Sequence, residues 1–221
     1  MKKQSSRQED TTRNTHIDHG ALTREAKEIS RESRIIAQES VGNQTFEDRI
    51  RQRCSIAVGD FSMAELLRFL HDPIPSGIRA LSRGSPIITD IRMVAVGIQK
   101  NGHHSPILCA LDFGTELAFS QGITRTSAGF IALQEKMTDA IIVIGNAPSA
   151  LLSLCSMVKE RVIPALIIGT PVGFVNASES KKLLRTLPLP SISTEGTRGG
   201  TPVAVAAMNE LIEIFCERRD D

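Results

Sequence analysis

Ala140-Ile-Ile-Val-Ile144 runs directly into Gly145-Asn-Ala-Pro-Ser-Ala-Leu151, and Ile163-Pro-Ala-Leu-Ile-Ile168 runs into Gly169-Thr-Pro-Val-Gly-Phe-Val175. In each case a β-branched and aliphatic run stops at a glycine, and a helical pattern reopens behind it. Strands alternating with helices at this spacing predict a parallel sheet covered on both faces, with right-handed crossovers. The first amides of a helix have no intrahelical partner and point out of the carboxyl edge of such a sheet, where they attract anions. Two adjacent turns of this kind predict an edge that holds something negatively charged.

A third unit follows downstream: a short strand at Pro190–Ser193, the loop Gly196-Thr-Arg-Gly-Gly200, and a helix from Thr201-Pro202 to about Glu217. Thr201 reads as the N-cap, with proline at the first helical position. Upstream, Pro86–Ile91 and Ile107–Leu111 read as strands, with a helical piece at Met93–Gly97 between them. Gly102-His103-His104 falls in a loop; adjacent histidines cannot share one helix face, so they read as a flexible surface pair rather than a metal site. Another helix is expected to begin at Thr124-Arg125, just after Gly122.

Towards the amino terminus, Leu22–Glu39 and Phe46–Cys54 read as helices. Ser62-Met-Ala-Glu65 has the capping-box pattern and predicts a third helix from Ser62 to about Leu70, stopped by Pro73 and Pro75. Ile78–Ser82 reads as a further short helix. Residues 1–20 are polar and nearly free of large apolar groups, so they are expected to form a flexible arm, with His16 and His19 solvated. The remainder, 21–221, is expected to be one three-layer α/β/α domain of the α/β class with a mostly parallel sheet.

Composition narrows the function. A 221-residue chain with 41% apolar residues can build a core of its own. Its net charge of +1 offers no field for nucleic acid, and it has no Trp or Tyr on which bases could stack. The four cysteines, Cys54, Cys109, Cys155 and Cys216, are scattered without a C-x-x-C pair, which fits reduced thiols and no metal site. No apolar run is long enough to span a bilayer, because Asn146 and Pro148 interrupt the best one, and the first residues lack a secretion signal. A soluble cytoplasmic protein with no nucleic-acid or membrane partner is the expectation.

None of the glycine turns completes a P-loop or a G-x-G-x-x-G nucleotide motif, and there is no G-x-S-x-G elbow. What remains are polar groups at helix starts: Asn146, Ser149, Glu179, Ser180, Lys181, Arg198, Thr201 and the Thr124-Arg125-Thr126-Ser127 run. Arg125 could clamp a carboxylate through two parallel hydrogen bonds.

The ordered set Gly145-Asn-Ala-Pro-Ser-Ala-Leu151, Pro171-Val-Gly-Phe-Val175, Ala177-Ser-Glu-Ser-Lys181, Thr124-Arg125, Pro86-Ile-Ile-x-Asp90-x-x-Met93 and Gly199-Gly200-Thr201 closely resembles the precorrin-8X methylmutase family, over about residues 25 to 215. The resemblance implies a late step of corrin-ring construction, in which a methyl group moves from C11 to C12 of the macrocycle to give hydrogenobyrinate or cobyrinate. It implies a homodimer, a three-layer α/β/α fold and no separate organic cofactor. It also implies a tetrapyrrole ligand bearing many carboxylates, which agrees with the anion-attracting edge. Carried over by position, the substrate-binding residues would be Arg125, Thr124, Asp90, Asn146, Ser149, Gly173, Glu179, Ser180, Lys181 and Gly200.

The N-terminal half departs from the family pattern. Where the family has Arg-x-x-His-Ala-x-Gly, with the histidine taken as proton donor, this chain has Arg53-Cys-Ser-Ile-Ala-Val-Gly59, so that Ile56 stands in the histidine's place. Glu32 occupies a position where serine is common, and Thr197 stands where the late loop usually has arginine. The catalytic acid is therefore unassigned; Glu32, Asp60 and His71 are the weak candidates. Two principal readings follow, a methylmutase with an altered or missing acid and a non-catalytic corrinoid binder. An unrelated phosphometabolite enzyme on a similar sheet is the third.

Overall fold

Ile87, Ile88, Ile141, Ile142, Val143, Ile144, Leu166, Ile167 and Ile168 are all fully buried, the signature of strands sandwiched between two helical layers. They form the centre of one six-stranded sheet in the computed structural model, which describes residues 23–220. The expected arm at 1–20 lies outside the described residues. The strands are β1 Leu67–Leu70, β2 Ile87–Thr89, β3 Ile107–Cys109, β4 Ile141–Ile144, β5 Leu166–Gly169 and β6 Ser191–Thr194, in the order β1-β6-β5-β4-β2-β3. β6, β5, β4, β2 and β3 run parallel, and β1 alone runs antiparallel, beside β6.

Alternation along each strand divides the core in two. Ile141, Val143, Leu166 and Ile168 face a layer made by α2 (Phe46–Val58), α4 (Pro73–Ser82), α5 (Arg92–Gly97) and α10 (Thr201–Asp220). Ile142, Ile144 and Ile167 face α7 (Arg125–Ala132), α8 (Pro148–Lys159) and α9 (Ala177–Leu184). The three-layer α/β/α class follows. Cys54, Cys109 and Cys155 are buried free thiols, and Cys216 is a half-buried one.

The remaining helices are α1 (Arg24–Val41), outside α2, the short α3 (Ser62–Leu66) and α6 (Thr115–Gln121). α1 is fixed to α10 by charge rather than by grease: buried Arg34 donates to Glu210 at 3.4 Å and Glu213 at 2.8 Å. From α2, Arg49 donates to the second Glu210 oxygen at 2.8 Å and to Glu217 at 3.0 Å. Burial, reinforced by the neighbouring Glu210 charge, pushes the Glu213 carboxyl up to about 7.

Several expectations need correction. The helix predicted over Ser62–Leu70 ends at Leu66, and Leu67–Leu70 is β1. Ser62 does not cap it; the Ser62 amide instead donates to Asp60 Oδ1 at 2.9 Å. The open edge of β6 offers four cross-strand positions to Leu67–Leu70, and that pairing overrides local helix propensity. Pro73 does not stop a helix but opens α4, which absorbs the piece expected at Ile78–Ser82. α10 begins at Thr201 as expected, but the Gly200 carbonyl accepts from Val203 and Ala204, so Gly200, not Thr201, is the cap. His103 is buried, its Nε2 within 2.9 Å of the Gln99 carbonyl and its Nδ1 accepting the Ser105 amide, while only His104 is exposed.

Candidate functional site

Because β2, β4, β5 and β6 run parallel, their carboxyl ends bring the turns Asp90–Arg92, Gly145–Ala147, Thr170–Asn176 and Glu195–Gly200 to one edge. The antiparallel run of β1 adds a further segment. Leu67 lies opposite Thr194, at the carboxyl end of β6, and Leu70 lies opposite Ser191, at its amino end. The end of α2, with Ile56, Asp60 and α3, is thereby delivered to the glycine turns, whereas His71 emerges at the opposite edge of the sheet. Position in the fold removes His71 from the candidate acids.

Asp90 organises the Gly145 turn. Its carboxylate accepts the Ile91 amide at 3.0 Å, Gly145 at 3.2 Å, and Asn146 and Ala147 at 2.8 Å each. Burial pushes its carboxyl up, opposed by these four amide donors. The amides expected to receive a ligand's anion are thus engaged by a carboxylate of the chain itself, and Asp90 is fully buried. Gly145 is required here by crowding: a Cβ would come within 3.0 Å of Thr201 Cα and Ala204 Cβ. The turn is clamped from below by Asp90 and from the side by α10.

The neighbouring polar groups converge as the sequence suggested. Thr124 caps α7 by accepting the Ser127 amide at 3.2 Å, and its hydroxyl lies 2.9 Å from Ser149 Oγ at the start of α8. Thr126 and Ser127 hydroxyls lie 3.2 and 2.9 Å from the Thr124 hydroxyl oxygen. Arg125 and Asn146 stand exposed beside this hydroxyl cluster. Arg125 donates to the Leu111 carbonyl at 3.2 Å and forms no ion pair among the described residues, so its charge is uncompensated.

At the β6 end, Arg198 ion-pairs with Asp60 and donates to Ser62 Oγ at 2.8 Å, stitching the end of α2 to the glycine loop. Hydrogen bonds from Ser62, followed by the Arg198 contact, hold the Asp60 carboxyl below its usual range. An ion-paired carboxylate of this kind is a poor proton donor. Glu32 is exposed on α1, two residues from the inward-facing Arg34. Ile56 is half-buried one residue inside the last turn of α2, whose cap is Gly59 with φ +64°. Ser180 and Lys181 are fully buried, Gly200 is buried, Gly173 is half-buried and Glu179 is exposed.

An exposed apolar rim, most of it unanticipated from sequence, lies on the segments that follow the strands. Met93 and Val96 on α5, Phe119 on α6 and Phe174 and Val175 behind β5 are each more than two-thirds exposed. Exposed large side chains of this kind mark a surface that meets an apolar ligand or partner. A signal did exist for Phe174 and Val175, which lie in an apolar string within a loop.

A family model described as precorrin-8X methylmutase matches residues 28–214. The chain belongs to the precorrin-8X methylmutase family. A cobalt-precorrin-8 methylmutase of Methanocaldococcus jannaschii is 40% identical over 206 residues, covering 87% of this chain and 96% of that protein. A precorrin-8X methylmutase of Pseudomonas aeruginosa is 35% identical, over 74% and 82% of the two chains. Among solved structures, the precorrin-8X methylmutase of Thermus thermophilus superposes with a TM-score of 0.81 at 32% identity, covering 87% of this chain and 97% of that one. The edge described above thus combines the turns of four parallel strands with the end of α2, which carries an aliphatic residue at position 56.

Proposed function

We propose that this chain is an isomerase of cobalamin biosynthesis that moves a methyl group from C11 to C12 of precorrin-8X or cobalt-precorrin-8, giving hydrogenobyrinate or cobyrinate. The single observation that carries the reading is family membership over nearly the whole domain, with the site blocks retained at one sheet edge. The chemistry of the edge is compatible. A macrocycle with carboxylate arms needs apolar surface for its ring and donors for its periphery. Met93, Val96, Phe174 and Val175 supply the first; Arg125, Asn146 and the Thr124–Ser149 hydroxyls supply the second.

The reaction is an isomerisation, so no atom is gained or lost, and the protein's task is to orient the ring and stabilise the charge that develops during the shift. Ile56 contributes shape to this pocket and no proton. General acid catalysis is worth about 10² to 10⁴ in rate, so a pocket working by positioning alone would turn over more slowly by about that factor. Ile56 is also the one observation that favours a corrinoid binder without turnover.

Two further features of the family reading are proposals for this chain. Ile29, Ile35 and Ile36 on α1 are exposed and would suit a homodimer contact. A cytoplasmic location fits the reduced thiols, and no helix among the described residues is long and apolar enough to cross a membrane. Incubating the purified protein anaerobically with precorrin-8X or cobalt-precorrin-8 and following the absorption spectrum tests the activity. Conversion to the cyclic product's spectrum is expected; binding shifts without conversion would identify the binder, and no spectral change would reject both.

A further inference from the structure

Among the described residues Lys181 is the fully buried lysine, and its two hydrogen-bond partners are both neutral. Its Nζ donates to Thr194 Oγ1 at 3.0 Å and to the Arg198 carbonyl at 2.7 Å. The Thr194 hydroxyl donates to the same carbonyl at 2.7 Å, closing a three-membered ring of hydrogen bonds between α9, β6 and the glycine loop. Lys181 forms no ion pair among the described residues. A buried cation without a carboxylate is costly to keep, and it persists where function requires it. Burial lowers its pKa to about 8, with Arg185 adding to the effect.

The consequence lies in the peptide that the ring holds. Arg198 is exposed at the sheet edge, yet its carbonyl is turned inward to two buried donors. The peptide bonds are trans, so a carbonyl pointing inward sends the N–H of the same unit, that of Gly199, the opposite way. The Gly199 N–H has no acceptor among the described residues. A side chain at Gly199 is excluded on the inner side, where a Cβ would lie 2.3 Å from the Thr170 carbonyl, and the Gly200 amide bonds that carbonyl at 2.7 Å. Both ends of the outward-facing amide are thereby immobilised.

We propose that Lys181 is a positioning residue: through the Arg198 carbonyl, with Thr194, it holds the Arg198–Gly199 peptide so that the Gly199 N–H faces outward and receives a carboxylate of the ligand. This inference rests on the corrinoid reading above and assigns Lys181 an indirect role, since the buried ammonium itself touches no ligand. Backbone donors fixed in advance bind anions with little loss of entropy, and loosening them weakens capture before it weakens chemistry.

The test compares wild type, Lys181→Met, Thr194→Val and the double variant by absorbance titration with hydrogenobyrinate, by steady-state kinetics and by thermal unfolding. Lys181→Met should weaken product binding about tenfold or more, the loss expected for a charge-assisted contact. KM should rise by a larger factor than kcat falls, and Tm should stay level or rise, because an unpaired buried charge has been replaced by an apolar side chain. Thr194→Val should act in the same direction, and the double variant should fall short of the sum. Unchanged affinity in both single variants overturns the proposal, as does a fall in Tm and kcat at constant KM, which marks a purely structural lysine. If Lys181→Met does not fold, Thr194→Val carries the same decision. Wild type that fails to bind the corrinoid at all rejects the functional reading, and this inference falls with it; wild type that binds as tightly as Lys181→Met rejects the inference alone.

Discussion

Asp90 Oδ2 accepts the Ala147 amide at 2.8 Å, joining the turn after β2 to the turn after β4 across 57 residues. With the Gly145, Asn146 and Ile91 amides it makes Asp90 the internal anion of a helix start that would otherwise sit open. Asp90→Asn would leave one acceptor where two stood and would place an amide donor against backbone N–H groups. A loss of about 3 kcal/mol in unfolding free energy is expected, from a buried charged acceptor left with mismatched partners. Urea denaturation reads it directly, and a stability within experimental error of wild type would refute this role for the carboxylate.

Ile56→His restores an imidazole at the end of α2, beside the segment that Arg198 stitches to the glycine loop. Its ordinary pKa lies near neutrality, where it can donate a proton to a bound macrocycle. If the shift in this chain is limited by the missing acid, turnover should rise about 10² to 10⁴-fold with product affinity little altered. Stopped conversion assays at equal occupancy check this. No gain would place the limiting step elsewhere, and conversion confined to the variant would mark the native chain as the binder.

Removing Arg34 tests the charge that attaches α1. Arg34→Met removes the guanidinium 2.8 Å from Glu213 while Glu210 keeps Arg49, and breaking this buried pair should cost about 3 kcal/mol. Adding Glu213→Leu should recover most of that, since an apolar pair of similar volume replaces the pair of charges. Denaturation of the three variants against wild type decides it; additive losses would show that the ion pair is not the source of the effect.

Lys181 also leaves a mark on stability against pH. Its folded pKa, about 8, lies below the roughly 10.4 of a lysine in an unfolded chain. Between those values the unfolded state binds more protons at this site, so the Lys181 contribution to stability should rise as pH climbs from about 8 to about 10. The buried thiols of Cys54, Cys109 and Cys155 act in the opposite sense, because burial holds them protonated while unfolded thiols ionise in the same window. The charge acting on Lys181 is the Arg185 guanidinium, just past the end of α9, with the Arg68–Glu195 pair beyond. The Tm of wild type relative to Lys181→Met should therefore rise across this range; a difference that stays constant would exclude Lys181 as its origin.

How much of this was legible depended on the range of the interaction. β4, β5 and their turns were readable because Ile141–Ile144 and Leu166–Gly169 are apolar enough to be buried on both faces whatever surrounds them. β1 was not, since Ser62–Glu65 satisfies a local helix rule and only the unpaired edge of β6 outweighs it. Thr124 and Ser149 were both singled out, but their 2.9 Å contact depends on how α7 and α8 pack. Asp90 was named as a ligand contact, and nothing local reveals that its partners are amides from another turn. His103 was misjudged for the same reason: burial under the Gln99 carbonyl is a tertiary fact. α6, which carries Phe119, gave too weak a periodic signal to be noticed.

The antiparallel run of β1 has one further consequence. On the proposed reading the surface that receives the ligand is built by turns of the parallel strands, while position 56 arrives on a separate segment, the end of α2, ahead of β1. Recognition and reactivity are thus inherited on different parts, fastened by the Asp60–Arg198 contact. A change of side chain at position 56 would thus alter what faces the ligand without touching the turns proposed to hold it.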